Sequence, residues 1–155
     1  MLDPSANDMN DVSKTFRLLV VDDDLIQRTI ISKIGAQSGF DVTIAATFDE
    51  AASFLRRDKF DCITLDLSLG EQSGVLLLQT MVANGRRMPV IVISGAEQHV
   101  LNSTITIAES LGLNSQSLSK PLNLAELRST LLIKRQSAPA LRGVMQLSQP
   151  ALQPS

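Results

Sequence analysis

The sequence predicts an α/β domain: a doubly wound parallel sheet of five strands with helices on both faces. Three observations carry this. Short apolar runs, several of them β-branched, alternate with longer stretches of helical periodicity. Capping and turn residues mark the junctions. The alternation repeats five times, and strand–helix repeats of this kind close through right-handed crossovers into a parallel sheet.

Each element has its own signal. Arg17–Val21 (RLLVV) is a continuous apolar run too short for a helix and reads as the first strand. Leu25–Gln37 places Leu25, Ile26, Ile30 and Ile34 at helical spacing, and Gly39 stops it. Asp24 fits as its N-cap, with Gln27 as the reciprocal partner. Asp41–Ala45 is the second strand, and Thr47-Phe-Asp-Glu50 is a capping box opening a helix that ends near Arg57. Cys62–Leu65 is the third strand. The loop SLGEQSG follows it and leads to a helix over Val75–Asn84. Pro89–Ile93 (PVIVI) is the fourth strand, and helical patterning resumes between Glu97 and Leu111. A weak strand at Gln116–Ser119 precedes Lys120-Pro121. Asn123-Leu-Ala-Glu126 then caps a helix with Leu124, Leu127, Leu131 and Leu132 on one face. Residues 1–14 read as a flexible leader, 15–135 as the folded domain, and 136–155, rich in Ser, Gln, Ala and Pro, as a disordered tail. Within that tail, Leu141–Leu147 is the stretch able to hold a partner.

Composition removes several function classes. The 155 residues carry a formal net charge of −2, which offers no basic field for nucleic acid. Five Phe with no Trp or Tyr make a stacking platform for single strands an unfavourable reading. Cys62 lies in an apolar run and reads as a small buried hydrophobe, and the lone His99 leaves nothing for a zinc site. No signal pattern or membrane-spanning run occurs, so a soluble cytoplasmic protein is the expectation.

The stretch RLLVVDDDLIQR sets three like charges, Asp22, Asp23 and Asp24, at the end of a buried-looking strand. Near a low-dielectric core their repulsion is costly unless something cationic or hydrogen-bonding answers it. In open parallel sheets the working site lies beyond the carboxyl ends of the strands. Those ends are Asp22-Asp23 on the first strand, Asp66 on the third, Ser94 on the fourth and Lys120 on the fifth. With strand order 2-1-3-4-5 they would converge on one crevice. Carboxylates there suit Mg²⁺, which takes a few carboxylates plus water and phosphate oxygens. Lys120 adds a positive charge and Ser94 a hydroxyl, so the set suits an incoming phosphoryl group. Asp66, apart from the acidic pair, is the best candidate nucleophile.

LLVVDDD, ITLDLSLGEQSG, VIVISG and LSKPLNLAEL together resemble the four signature regions of bacterial response-regulator receiver domains, over about residues 16–134. The resemblance implies a flavodoxin-like fold. It implies Mg²⁺ held by Asp22, Asp23, Asp66 and the Ser68 backbone carbonyl. It further implies Asp66 as phosphoacceptor, Ser94 as switch hydroxyl, Lys120 as phosphoryl contact and a cis bond before Pro121. A sensor histidine kinase or histidine phosphotransfer protein would be the donor, and the protein would be a signalling phosphoacceptor rather than an enzyme. The output would be a shift in the face made by the last two helices and the strand between them, acting on a protein target or a second copy. Four positions depart from the family pattern. Ser117 stands at its aromatic switch position, Gly70 replaces a common proline, and Ser68 and Ala96 offer no carboxylate or amide side chain to orient attacking water, so slow self-dephosphorylation is expected.

Two rivals stand beside this reading. A haloacid-dehalogenase-type phosphatase would use Asp22 and Asp24, but needs an acidic pair downstream of Lys120, where the only acid is Glu126. A receiver-like interaction module with vestigial acids would bind no Mg²⁺ and accept no phosphoryl group. Too few residues follow Lys120 for the closing helix and a DNA-binding domain, so the chain reads as a stand-alone regulator or a receiver cut from a longer protein.

Overall fold

The computed structural model describes residues 15–69, 73–95 and 98–136; the expected leader, nearly all of the expected tail, and Gly70 and Ala96 lie outside these. The elements run β1 Phe16–Val21, α1 Leu25–Gln37, β2 Phe40–Ala45, α2 Phe48–Arg57, β3 Cys62–Asp66, a 3₁₀ turn Leu67–Leu69, α3 Ser73–Ala83, β4 Val90–Ser94, α4 Gln98–Ser110 and β5 Ser115–Ser119. A closing helix, α5, covers 124–136. The sheet is parallel throughout, in the order β2-β1-β3-β4-β5, as the crevice argument required.

Strand alternation splits the core in two, because successive side chains leave a strand on opposite faces. Leu19, Ile63, Leu65, Val90 and Val92 pack on one face with Ala51 and Leu55 of α2, Leu77, Leu78 and Met81 of α3, and Ala108 of α4. Leu18, Val20, Cys62, Ile91, Ile93 and Leu118 pack on the other, under Ile31 and Ile34 of α1 and Leu127 and Leu131 of α5. Burial on both sides is why β1, β3 and β4 read as nearly continuous apolar runs. Among the described residues no helix is long and apolar enough to cross a membrane.

The caps follow the sequence closely. The Thr47 hydroxyl accepts from Glu50 N, and the Glu50 carboxylate accepts from Ala46 N, one residue before the position an ideal capping box would use. Asn123 Oδ1 accepts from Glu126 N at the start of α5. Gly39, which ends α1, has φ +95°, a left-handed conformation that disfavours a side chain.

Of the apolar positions that mark α1 in the sequence, only Ile34 is buried. Leu25 and Ile26 are 64% and 72% exposed and Ile30 is exposed too, whereas Ile31, Ile34 and Gly35 meet the sheet. Helical spacing fits both stripes, and the small Gly35 decided between them. A β-carbon there would lie 2.7 Å from Leu18 Cδ2, so the helix approaches the sheet along that line. In α5, likewise, Leu127 and Leu131 are buried while Leu124 is exposed.

Candidate functional site at the carboxyl edge of the sheet

The crossovers deliver Asp22, Asp66, Ser94 and Lys120 to one edge of the sheet, since β1, β3, β4 and β5 are consecutive neighbours. Asp22 is fully buried at the end of β1. Its Oδ1 accepts from Asp24 N at 2.9 Å, and its carbonyl accepts from Arg28 Nη1 at 2.9 Å. Asp66 ends β3 and is 1% exposed. Lys120 Nζ stands 3.0 Å from Asp66 Oδ2 and 3.1 Å from Oδ1. Ser94 is buried at the end of β4, and its carbonyl accepts from Lys120 N at 2.8 Å. The lysine is thereby tied to the serine's strand through the backbone. The Lys120-Pro121 bond is cis, as the resemblance implied.

The two buried carboxyls ionise differently. Burial pushes Asp22 up, with repulsion from Asp66 adding to it, to about 6, against the opposing Asp24 N–H and Gln27 amide. Burial also disfavours charge on Asp66, but the Ser68 amide and hydroxyl and the Lys120 ammonium outweigh it and hold that carboxyl below its usual range. Asp66 is therefore the more acidic, cation-paired member of the pair, which suits a nucleophilic oxygen.

Two contributors escaped the sequence reading. Ser68 was expected to matter through its carbonyl; its amide and hydroxyl both donate to Asp66 Oδ1 at 2.8 Å. The cap pattern accounts for only part of what Gln27 does. Its backbone N–H does bond Asp24 Oδ1 at 3.0 Å, but its side chain does not return to Asp24 N, which is already held by Asp22. Instead Gln27 Nε2 bridges Asp22 Oδ2 at 2.6 Å and Asp66 Oδ2 at 2.7 Å, because two anionic acceptors outcompete a solvated cap position. The only sequence signal for this was a long polar residue in the first turn after the acidic run.

Of the three carboxylates expected around the cation, Asp22 and Asp66 form a buried pair, and Asp23 follows Asp22 at the surface. Asp23 is exposed, and among the described residues no three His, Cys, Asp or Glu side chains are gathered as a metal site. The pair itself suits a hard divalent cation. Two buried carboxylates on adjacent strands direct oxygens at a single donor atom, and Mg²⁺ is commonly held by one or two carboxylates with water completing its shell.

A five-stranded parallel sheet with buried acids, a lysine and a hydroxyl on neighbouring strand ends is an open α/β fold with its polar site at the carboxyl edge. The response regulator receiver domain profile matches residues 18–132, and the chain belongs to that family. It is 29% identical over 115 residues to the transcriptional regulatory protein ZraR of Escherichia coli K12, which covers 74% of this chain and 25% of ZraR. The Salmonella typhimurium ZraR is 28% identical over the same span. The chain thus spans about a quarter of the length of these relatives. Among solved structures, a response regulator from Colwellia psychrerythraea superposes with TM-score 0.67 at 25% identity, covering 79% of this chain and 99% of that one. A CheY-like receiver from Methanospirillum hungatei JF-1 gives 0.66 at 22% identity over 81% and 100%. Family membership disfavours the phosphatase rival, which also leaves Asp66 without a task.

Proposed function

We propose that the protein accepts a phosphoryl group on Asp66 from the phosphohistidine of a sensor histidine kinase or a phosphotransfer protein, and changes its protein contacts in response. The observation that carries this reading is the buried Asp66 carboxylate held by Lys120 at 3.0 Å beside a second buried acid. An Asp66 oxygen attacks phosphorus as the bond to the imidazole nitrogen breaks; a P–O bond replaces the P–N bond and the imidazole leaves to take up a proton. Ser68 N–H and Oγ fix the carboxylate's orientation, so little reorganisation precedes attack. Lys120 is positioned to follow the negative charge from the carboxylate to the phosphoryl oxygens, and Ser94 offers its hydroxyl from the next strand. Asp22, Asp66, Asp23 and the Ser68 carbonyl would hold Mg²⁺, which supplies charge neutralisation between carboxylates and phosphoryl oxygens.

The α4–β5–α5 face is the output surface in this reading, with a protein target or a second copy as its occupant. Ser117, exposed on β5, cannot provide an aromatic ring there, so the Ser94 hydroxyl and the Lys120–Ser94 backbone tie would carry the signal. In this reading the receiver domain is residues 15–135 and works in the cytoplasm.

The test is intact mass after incubation with acetyl phosphate and Mg²⁺, repeated with a phosphorylated histidine donor. Wild type should gain the mass of a single phosphoryl group, and Asp66→Asn should gain none. No mass gain in wild type with either donor would refute phosphoacceptance and favour a vestigial interaction module.

A further inference from the structure

The Gln27 carboxamide has no part in that chemistry, yet it occupies the centre of the acidic pocket. Its single Nε2 carries two hydrogens and lies 2.6 Å from Asp22 Oδ2 and 2.7 Å from Asp66 Oδ2. Both distances are in or just below the range of charge-assisted hydrogen bonds. Two partial positive charges are thus placed between buried carboxylates that would otherwise repel, the electrostatic task a cation performs.

We propose that Gln27 is a resident competitor for the divalent cation: it bridges the carboxylate pair in the metal-free protein and must release both oxygens when the cation enters. The inference rests on Asp22 and Asp66 being cation ligands. A hard cation drawing on Asp22 Oδ2 and Asp66 Oδ2 would need the space between them that Nε2 now fills, since its contacts to oxygen are far shorter than a hydrogen bond permits. Amide and cation therefore exclude each other at those two atoms. The backbone need not move, because Gln27 N remains bonded to Asp24 Oδ1 and the first turn of α1 is held by that cap. The side chain alone has to rotate, and there is room for it. Gln27 also lines an open groove of about 390 Å³ walled by Ile26, Ile30, Pro121, Leu122 and Leu124. Gln27 accordingly lowers cation affinity and sets the cation concentration at which the site loads.

Calorimetric titration of the full chain with magnesium chloride at mildly alkaline pH tests this, using wild type, Gln27→Met and Gln27→Ala. Both variants lack the bridging donor, so both should bind Mg²⁺ about three- to tenfold more tightly, tenfold corresponding to about 1.4 kcal/mol. Unchanged or weaker binding in the variants, with wild type still binding, overturns the inference alone and would make Gln27 neutral or a ligand. Absence of Mg²⁺ binding in all three proteins overturns the metal reading along with it. A second measurement needs no variant: the Gln27 side-chain amide resonances of wild type should move from a hydrogen-bonded to a solvent-like position as Mg²⁺ is added. Resonances that stay in place while the cation binds would also overturn it.

Discussion

Thr64 lies fully buried in the middle of β3, and its hydroxyl oxygen finds no hydrogen-bond partner among the described residues. A buried polar atom left unsatisfied costs about 1–3 kcal/mol, and valine has nearly the same shape without the hydroxyl. Thr64→Val should therefore raise the unfolding free energy by about 1 kcal/mol in urea denaturation. Asp22 gives a pH signature at the same scale. Its folded pKa of about 6 lies above the ordinary 3.8, so the folded state binds the proton more readily than the unfolded chain. Its contribution to stability is consequently lost as pH rises from 3.8 to about 6. Asp66, shifted the other way, contributes stability above its ordinary range and loses it as pH falls through its folded value, so the two windows do not coincide. Without divalent cations, Asp22→Asn should raise Tm more above pH 6 than below pH 3.8, flattening the profile between them. An equal gain at both ends would show that the charge of Asp22 is not its source.

At the level of elements, α1 depends on a close approach and α2 on a cap. A β-carbon on Gly35 would lie 2.7 Å from Leu18 Cδ2 and 3.1 Å from Val42 Cγ2. Alanine gains about 0.5–1 kcal/mol of helix propensity over glycine, but forcing extra volume into a filled core costs about 1–3 kcal/mol. Leu18 is itself fully buried and has nowhere to retreat, so the steric cost should win. Gly35→Ala is expected to destabilise by about 1 kcal/mol in the same denaturation assay. Thr47→Ala removes the acceptor for Glu50 N at the head of α2 and should cost about 1 kcal/mol without altering phosphoryl acceptance.

For the molecule as a whole, Cys62 reports on opening of the sheet. The thiol lies fully buried on β3 between two covered faces, and burial pushes it up to about 12. It is inert while the sheet is intact. Labelling with a thiol reagent should be negligible in native buffer and should follow the global unfolding transition as denaturant is added. Labelling well below that transition would reveal a partial opening of the α1–α5 side. The same two-sided burial explains how the site is held. Asp66 and Ser94 project from central strands that cannot shift without disturbing both cores, whereas Gln27 and Lys120 reach the pocket on long, partly exposed side chains.

The alternation of strands and helices, the caps at Asp24, Thr47 and Asn123, and the acid, hydroxyl and lysine at the strand ends were all legible in the sequence. Each rests on residues close together in the chain: periodicity within a segment, a cap three residues from its partner, a polar residue closing an apolar run. The order of strands was legible only as the arrangement that would gather those ends. Local pattern failed where two solutions satisfied it equally, as in α1, whose apolar stripe at Leu25, Ile26 and Ile30 faces outward because Gly35 lets the other side sit down on Leu18. What the sequence by itself determined, then, was the fold class and the chemistry available at one edge of the sheet. Only the tertiary structure decided that Gln27 answers the repulsion between Asp22 and Asp66 and that Ser68 holds Asp66 through its amide and hydroxyl. The physical reason is that a hydrogen bond between groups remote in the chain depends on which acceptors folding brings within about 3 Å, a distance no local pattern encodes.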